Sequence, residues 1–374
     1  MIGVLDTNGI QALLEELASS GFSVIGPTVK DDAILLGEIT HIDALPSGWI
    51  ARQSPGQYRL QKDGQAYFDH VVGPQNWKKV LFPTPQTIWK ADKGKRNSLN
   101  ITEPPLPTEK LALFGVRGCD LAALDILDRV FGGENFQDPR YVARRKNAFI
   151  VAVNCRRAAQ TCFCTSMNTG PEVKEGFDLV LTEIIEKDRH VFLVETGSNS
   201  GKQVANRLPL QEAGQDDIQA AREIIERTTE TITRQLDTSD LHDMLMSHLD
   251  DEIWEDVGER CLSCANCTLV CPTCFCSTVE DVTDLTGDHA ERRQLWDSCF
   301  TLDFSYIHGG SVRTSIKSRY RQWMTHKLAS WVDQFGTMGC VGCGRCITWC
   351  PVGIDIIEEV QKIREAHVAH AMAT

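Results

Sequence analysis

Two cysteine runs with the same spacing stand in the last third of this 374-residue chain. The first is Cys261-x2-Cys264-x2-Cys267-x3-Cys271-Pro272, and the second is Cys340-x2-Cys343-x2-Cys346-x3-Cys350-Pro351. In bacterial ferredoxins this spacing provides the thiolates that hold [4Fe–4S] clusters. Two such runs therefore predict a pair of clusters, and a protein with paired clusters is expected to transfer electrons.

The spacing also predicts which cysteines act together, because the fourth cysteine of each run ligates the other cluster in two-cluster ferredoxins. The predicted ligands of cluster 1 are Cys261, Cys264, Cys267 and Cys350, and those of cluster 2 are Cys340, Cys343, Cys346 and Cys271. Structural zinc also takes four cysteines, usually as two C-x2-C pairs. A triple run that ends in Cys-Pro, present twice, fits that pattern poorly.

Seven cysteines lie outside these two ligand sets. Four of them, in the first half of the chain, are Cys119, Cys155, Cys162 and Cys164. Cys119 and Cys155 each follow a predicted strand, so we expect them at neighbouring strand ends, and four converging thiolates could hold a third [4Fe–4S] cluster. The alternative is that some are buried small apolar side chains, as free cysteine often is. The remaining three, Cys274, Cys276 and Cys299, fall short of four ligands and are assigned no metal.

Composition limits the class of protein. The formal net charge of −13 argues against nucleic acid as the main partner. Residues 1–21 have neither a basic segment nor a long apolar run, so we expect no signal peptide, and no stretch approaches the length of a membrane span. The cysteines are therefore expected to stay reduced and bind metal in a cytoplasmic protein.

Hydrophobic periodicity predicts an α+β protein with three parts. Residues 1–210 are predicted to form an α/β domain with the candidate third site, residues 211–257 a helical arm, and residues 258–374 a ferredoxin-like dicluster domain with a helical insert. The predicted elements before residue 210 are a helix at 10–17, a strand at 33–39, a loop at 90–110, a strand at 111–116, a helix at 120–130 with Asp120 as its N-cap, a strand at 149–153, and paired strands at 179–183 and 191–195.

The segment between the two cysteine runs has two charge regions. Residues 280–297 are acidic, whereas residues 311–331 carry basic side chains and no acid. A stripe at helical spacing in the basic region predicts a core-facing surface and consists of Val312, Ile316, Tyr320, Trp323 and Leu328. The basic face contacts an acidic partner or the negative clusters, or it is an ordinary solvated face. Arg345, between two ligands, either raises the potential of its cluster or only solvates the loop.

Several motifs together resemble one family. They are Arg117-Gly-Cys-Asp-Leu-Ala-Ala123, Leu127-Asp-Arg-Val-Phe131, Asp138-Pro-Arg-Tyr141 with Arg144-Arg145, Asn154-Cys155, Thr161-Cys-Phe-Cys-Thr-Ser-Met167, Cys271-Pro-Thr-Cys-Phe-Cys276, Trp296-Asp-Ser-Cys299 and Cys340-Val-Gly-Cys-Gly-Arg-Cys346. Over roughly residues 110–360 the chain resembles the beta subunit of soluble NAD(P)-linked [NiFe] hydrogenases, the sulfhydrogenases. The equivalent subunit of anaerobic sulfite reductase is similar over the same stretches. The family more often has proline where Gly118 stands.

The resemblance implies a hetero-oligomer with a flavin subunit that binds NAD(P) and with small and large hydrogenase subunits. This chain has no G-x-G-x-x-G fingerprint and no P-loop, so we expect it to pass electrons rather than to bind the nicotinamide. No catalytic residue is assigned to it. A hydrogenase and a sulfite reductase remain alternatives, because both reactions occur on partner chains. A redox sensor or a structural iron–sulfur scaffold is the alternative of another class.

Overall fold

The fold combines helices and sheets, as predicted. The computed structural model describes residues 2–71, 73–95, 98–133, 136–187 and 189–373. The strands among them are β1 (Ile2–Asp6), β2 (Ser23–Lys30), β3 (Ala33–Glu38), β4 (Trp49–Ser54), β5 (Gln57–Lys62), β6 (Gln86–Lys93), β7 (Leu99–Thr102), β8 (Leu111–Val116), β9 (Ala148–Val153), β10 (Leu179–Glu186), β11 (Arg189–Thr196), β12 (Gln211–Glu212), β13 (Ser277–Thr283), β14 (His289–Trp296), β15 (Tyr306–Ile307) and β16 (Gly310–Ser311).

The helices alternate with strands in the first half of the chain and dominate the second half. They are α1 (Thr7–Ser19), α2 (Lys78–Leu81), α3 (Gly118–Phe131), α4 (Pro139–Lys146), α5 (Asn199–Ala205), α6 (Gln215–Glu230), α7 (Leu241–Ser247), α8 (Ile253–Arg260), α9 (Asn266–Leu269), α10 (Ile316–Thr325), α11 (Trp331–Phe335), α12 (Arg345–Thr348) and α13 (Ile356–Ala373), with a π-helix at His326–Ser330.

The largest sheet has the strand order β12-β1-β11-β10-β9-β8-β2-β3 within the described residues. Its central strands β10, β9, β8 and β2 are parallel, and antiparallel strands extend both edges. Alternate residues of β8 face opposite sides: Ala112 and Phe114 join the core under α1 and α5, whereas Leu111 and Leu113 join the core under α3 and α4. Both faces of the sheet are therefore covered, as parallel strands require.

A second sheet connects distant parts of the chain. Its order is β13-β14-β6-β7, so strands from the predicted first domain pair with a hairpin between the cysteine runs. The predicted loop at 90–110 is therefore wrong over β6 and β7, because β14 supplies a partner strand that local sequence does not reveal. Within that segment Asn97 lies outside the described residues. The division into three domains stays a prediction.

Other element predictions are confirmed or corrected. The helix at 10–17, the strands at 33–39, 111–116 and 149–153, and the antiparallel pair near 179–195 are confirmed. Asp120 is not an N-cap: α3 begins at Gly118, Arg117 occupies the cap position, and the Asp120 carboxylate binds a guanidinium instead. In the apolar stripe Val312 is 60% exposed and precedes α10, whereas Tyr320, Trp323 and Leu328 are buried as predicted.

Candidate metal centres

The predicted ligands of cluster 1 line one cavity. Cys261, Cys264, Cys267 and Cys350 lie around it, and Cys346 of the other set also lines it. Cys350 thus joins the three cysteines of the first run, as crossed ligation requires. Cys264 is exposed, whereas Cys261 and Cys267 are partly buried. The fold brings this predicted set together, and its metal ligation remains a proposal.

The predicted ligands of cluster 2 are also neighbours. Burial raises the pKa of Cys340, Cys343 and Cys346, and Cys271 contributes to the elevated pKa of each because its negative form would lie close to theirs. Buried thiols of this kind lose their protons when a metal binds, since thiolates are the ligands. The donor set therefore fits an anionic iron–sulfur cluster.

The two runs fold into the same local conformation. Ser263 and Ala265 in the first run have positive φ angles of 52° and 68°, and Gly342 and Gly344 at the equivalent positions have 63° and 73°. This shape lets the amide of Ser263 donate to the Cys261 sulfur at 3.4 Å and the amide of Gly342 donate to the Cys340 sulfur at 3.5 Å. Non-glycine residues rarely adopt this conformation. The first run therefore holds a strained loop whose amides point at a ligand sulfur.

Buried polar atoms without partners support the same interpretation. Tyr320 and Trp323 line the cavity of the cluster 1 set, and the Tyr320 hydroxyl and the Trp323 indole nitrogen have no hydrogen-bond partner among the described residues. Unsatisfied buried donors are rare in folded proteins. Cluster sulfur atoms are acceptors that could satisfy them, so the cavity fits the group that the cysteine spacing predicts.

A second cavity is lined by all four cysteines of the candidate third site, which are Cys119, Cys155, Cys162 and Cys164. Cys119 begins α3 after β8, and Cys155 follows the adjacent parallel strand β9, so the prediction that they lie at neighbouring strand ends is confirmed. Arg117 and Arg157 also line the cavity. Burial raises the pKa of Cys162 to about 12 and raises the pKa of Cys119 well above its usual value. Converging thiols and two cations fit an anionic cluster.

The loop that carries Cys162 and Cys164 packs directly on the second cysteine run. The Phe163 amide donates to the Gly342 carbonyl at 2.9 Å, and a Cβ atom added to Gly342 would lie 2.5 Å from the Phe163 carbonyl oxygen. Cys343 itself lines the third-site cavity. The cluster 2 set therefore adjoins both cavities, through Cys343 on one side and Cys346 on the other.

Arg345 does not solvate the loop. It is 2% exposed and donates to the Asp120 carboxylate at 2.9 Å, with the carbonyl of Gly73 as a further acceptor at 3.1 Å. Burial opposes its charge, but Asp120 and the thiol of Cys343 raise the pKa of Arg345. This cation lies beside Cys343, and Asp120 already balances its charge.

Two buried lysines lie among the other thiols. The Lys327 ammonium donates to the Cys271 sulfur at 3.3 Å, and the Lys78 ammonium donates to the Cys274 carbonyl at 2.9 Å and stacks on Trp296. Sequence reasoning left open whether the basic region contacts the clusters, and it did not single out Lys78. The absence of acids from 311–331 was the only signal for Lys327.

The three unassigned cysteines lie next to the predicted ligands. Cys274 hydrogen-bonds to Cys271, which lowers the pKa of Cys271 and raises that of Cys274. A similar bond with Cys299 lowers the pKa of Cys276 to about 7 and raises that of Cys299. Among the described residues no group of three or more His, Cys, Asp or Glu side chains is placed to hold a metal ion by itself.

Comparison with known proteins adds to this geometry. Residues 260–354 match the family model described as a 4Fe-4S dicluster domain. The chain is 34% identical over 259 residues to sulfhydrogenase 2 subunit beta from Pyrococcus furiosus, an alignment that covers 68% of this chain and 75% of the relative. The chain belongs to the sulfhydrogenase beta subunit family. Membership in this family, together with the dicluster domain, makes it an iron–sulfur protein of electron transfer. No solved structure matches it.

The resemblance predicted from the motifs is therefore confirmed at the level of the sulfhydrogenase beta subunit family. The matched domain starts one residue before Cys261 and ends after Cys350, so it contains both predicted ligand sets. Within the described residues, no helix combines the length and apolar character that crossing a bilayer requires.

Proposed function

We propose that this chain is the iron–sulfur electron-transfer subunit of a cytoplasmic, NAD(P)-linked [NiFe] hydrogenase or sulfur reductase. It relays electrons between a flavin subunit that binds NAD(P) and the hydrogenase small and large subunits, or to an external acceptor. It carries no catalytic residue of its own. The observation that carries this proposal is the continuous row of thiols, in which the cluster 2 set adjoins the cavity of the cluster 1 set and the third cavity.

We assign three [4Fe–4S] clusters to this row. Cluster 1 is held by Cys261, Cys264, Cys267 and Cys350, cluster 2 by Cys340, Cys343, Cys346 and Cys271, and the third by Cys119, Cys155, Cys162 and Cys164. Each cluster, when bound, accepts and donates one electron. The protein holds the thiols in place, donates amide hydrogens to their sulfurs and excludes water, and the exposed Cys264 brings one end of the row to the surface.

The number of clusters follows from an iron and acid-labile sulfide count on anaerobically prepared protein. Three clusters give about twelve irons per chain, and two give about eight. The Cys155→Ala variant should lower a count of twelve to about eight. A wild-type count of eight that Cys155→Ala leaves unchanged would reject the third cluster and favour buried, metal-free cysteines.

The transfer role is tested in the complex with its partner subunits. Addition of NADPH or hydrogen should bleach the visible absorption of the clusters and produce the electron paramagnetic resonance (EPR) signals of reduced [4Fe–4S] centres. Clusters that stay oxidised with both donors would reject the relay and favour a structural scaffold. Nickel in the purified complex supports the hydrogenase assignment, whereas siroheme would move the chain to a sulfite reductase.

A further inference from the structure

The two predicted ligand sets of the dicluster domain have different electrostatic surroundings. In the cluster 1 set, Cys261 and Cys350 accept backbone amides, from Ser263 at 3.4 Å and from Ile354 at 3.3 Å. In the cluster 2 set, Cys271 accepts the ammonium of Lys327 at 3.3 Å. A full positive charge therefore touches a ligand sulfur in only one of the two sets, within the part of the chain that the structure describes.

Lys327 has no carboxylate to balance its charge. Its side chain is 3% exposed, and its ammonium also donates to the Thr273 hydroxyl at 3.0 Å and the Gly339 carbonyl at 2.9 Å. Across residues 2–71, 73–95, 98–133, 136–187 and 189–373 no carboxylate forms an ion pair with it. Buried charges are normally paired. The counter-charge must come from the neighbouring thiolates and the cluster that they hold.

The other cations near the two sets are either neutralised or further from sulfur. Arg345, beside Cys343, is paired with Asp120 at 2.9 Å. Arg319, on the side of the cluster 1 set, donates to the Ser263 hydroxyl at 3.2 Å and to two backbone carbonyls. Lys327 is thus the unbalanced cation in direct contact with a predicted ligand.

We propose that Lys327 raises the midpoint potential of cluster 2 above that of cluster 1. Reduction adds a negative charge to a cluster, and a fixed ammonium at a ligand sulfur in a buried site stabilises the reduced form. Lys327 acts through Cys271 and is therefore a positioning residue. The inference rests on the proposed function and adds an order to it: an electron on the dicluster domain resides mainly on cluster 2, and the cluster beside the exposed Cys264 is the lower-potential one.

The test is a redox titration of the anaerobic holoprotein with a chemical reductant, followed by EPR. Lys327→Met removes the charge and should lower the potential of one step only, so that the ratio of reduced to oxidised cluster at a fixed potential falls about tenfold, or about 59 mV for a one-electron couple. Lys327→Arg should retain the wild-type value, and Lys202→Met on α5 removes an exposed charge as the matched control. An unchanged titration in Lys327→Met with full iron content would overturn the proposal.

A second variant decides the order even if Lys327→Met loses iron. Cys264→Ala removes a ligand of cluster 1 only, so the lower-potential step of the dicluster pair should disappear and the higher one should remain. Loss of the higher step instead would overturn the proposal. Because the reductant is chemical, this result is independent of whether NADPH or hydrogen reduces the clusters in the complex.

Discussion

The carboxylate of Asp120 holds the buried guanidinium of Arg345 beside Cys343 and Cys119. Asp120 and Arg345 are 3% and 2% exposed, and they belong to opposite ends of the chain. Removal of one partner from a buried ion pair leaves an uncompensated charge, which costs far more than the pair contributes when intact. The contact therefore fixes α3 against the second cysteine run.

Asp120→Asn should lower the free energy of unfolding by about 3–5 kcal/mol. The matched control is Asp125→Asn on the same helix, where an exposed pair with Arg129 contributes about 0.2–1 kcal/mol. Chemical denaturation of the holoprotein measures both values. Equal effects of the two variants would show that Arg345 finds another counter-charge, such as a neighbouring thiolate.

Single cysteines separate ligands from neighbours. Cys343→Ala should lose about four irons per chain because it removes a ligand of one cluster, and the loss should also lower stability, since metal binding and folding are coupled. Cys299→Ala, which alters an unassigned neighbour, should keep its iron. Iron content and thermal unfolding are measured on anaerobic preparations. Full iron in Cys343→Ala with a cooperative melt would contradict its assignment as a ligand.

At the scale of elements, the two ferredoxin loops differ in how closely other segments approach them. Ala265 and Gly344 occupy equivalent positions with φ angles of 68° and 73°. A Cβ atom on Gly344 would lie 2.3 Å from the Thr161 carbonyl oxygen, because the Cys162 loop packs against it. Glycine is therefore required in the second run, and the first run tolerates alanine at the expense of backbone strain.

Reciprocal substitutions test this difference. Ala265→Gly should stabilise the protein by up to about 1 kcal/mol, since glycine adopts a positive φ without strain. Gly344→Ala should destabilise it by at least about 2 kcal/mol, because the strain adds to a clash with backbone. The thermal midpoint of the holoprotein provides the measurement. Effects of equal size and opposite sign would mean that the Cys162 loop does not restrict the second run.

The same contacts explain what the sequence could and could not predict. Cysteine spacing is a local pattern, so it identified both runs, and strand periodicity placed Cys119 and Cys155 at neighbouring strand ends. Partner-dependent features escaped it. β6 and β7 are strands because β14 pairs with β6, and Asp120 is turned away from a capping role because Arg345 is buried against it. Neither partner lies near in sequence.

At the scale of the whole molecule, the metal sites are built from segments far apart in the chain. The second sheet joins β6 to β14, Lys78 donates to the Cys274 carbonyl, and the Cys162 loop packs on Gly342. Such long-range contacts make the stability of the large sheet depend on the state of the cysteine-rich segment. A chain whose predicted parts were independent domains would lack this dependence.

Iron removal provides the corresponding prediction. If metal binding is coupled to folding, anaerobic chelation should weaken the contacts around the thiols and, through α3 and β6, raise the amide hydrogen-exchange rates of β8 and β9 as well as those of α10. β1 and β11, which lie on the far side of the large sheet, serve as the internal reference and should change least. Loss of protection confined to residues after 258, with β8 and β9 unchanged, would show that the dicluster segment folds as a separate unit. Because Cys119 follows β8 and Cys155 follows β9, protection of these strands also reports on the third site. Cys155→Ala should therefore reproduce part of the β8 and β9 response while leaving α10 protected.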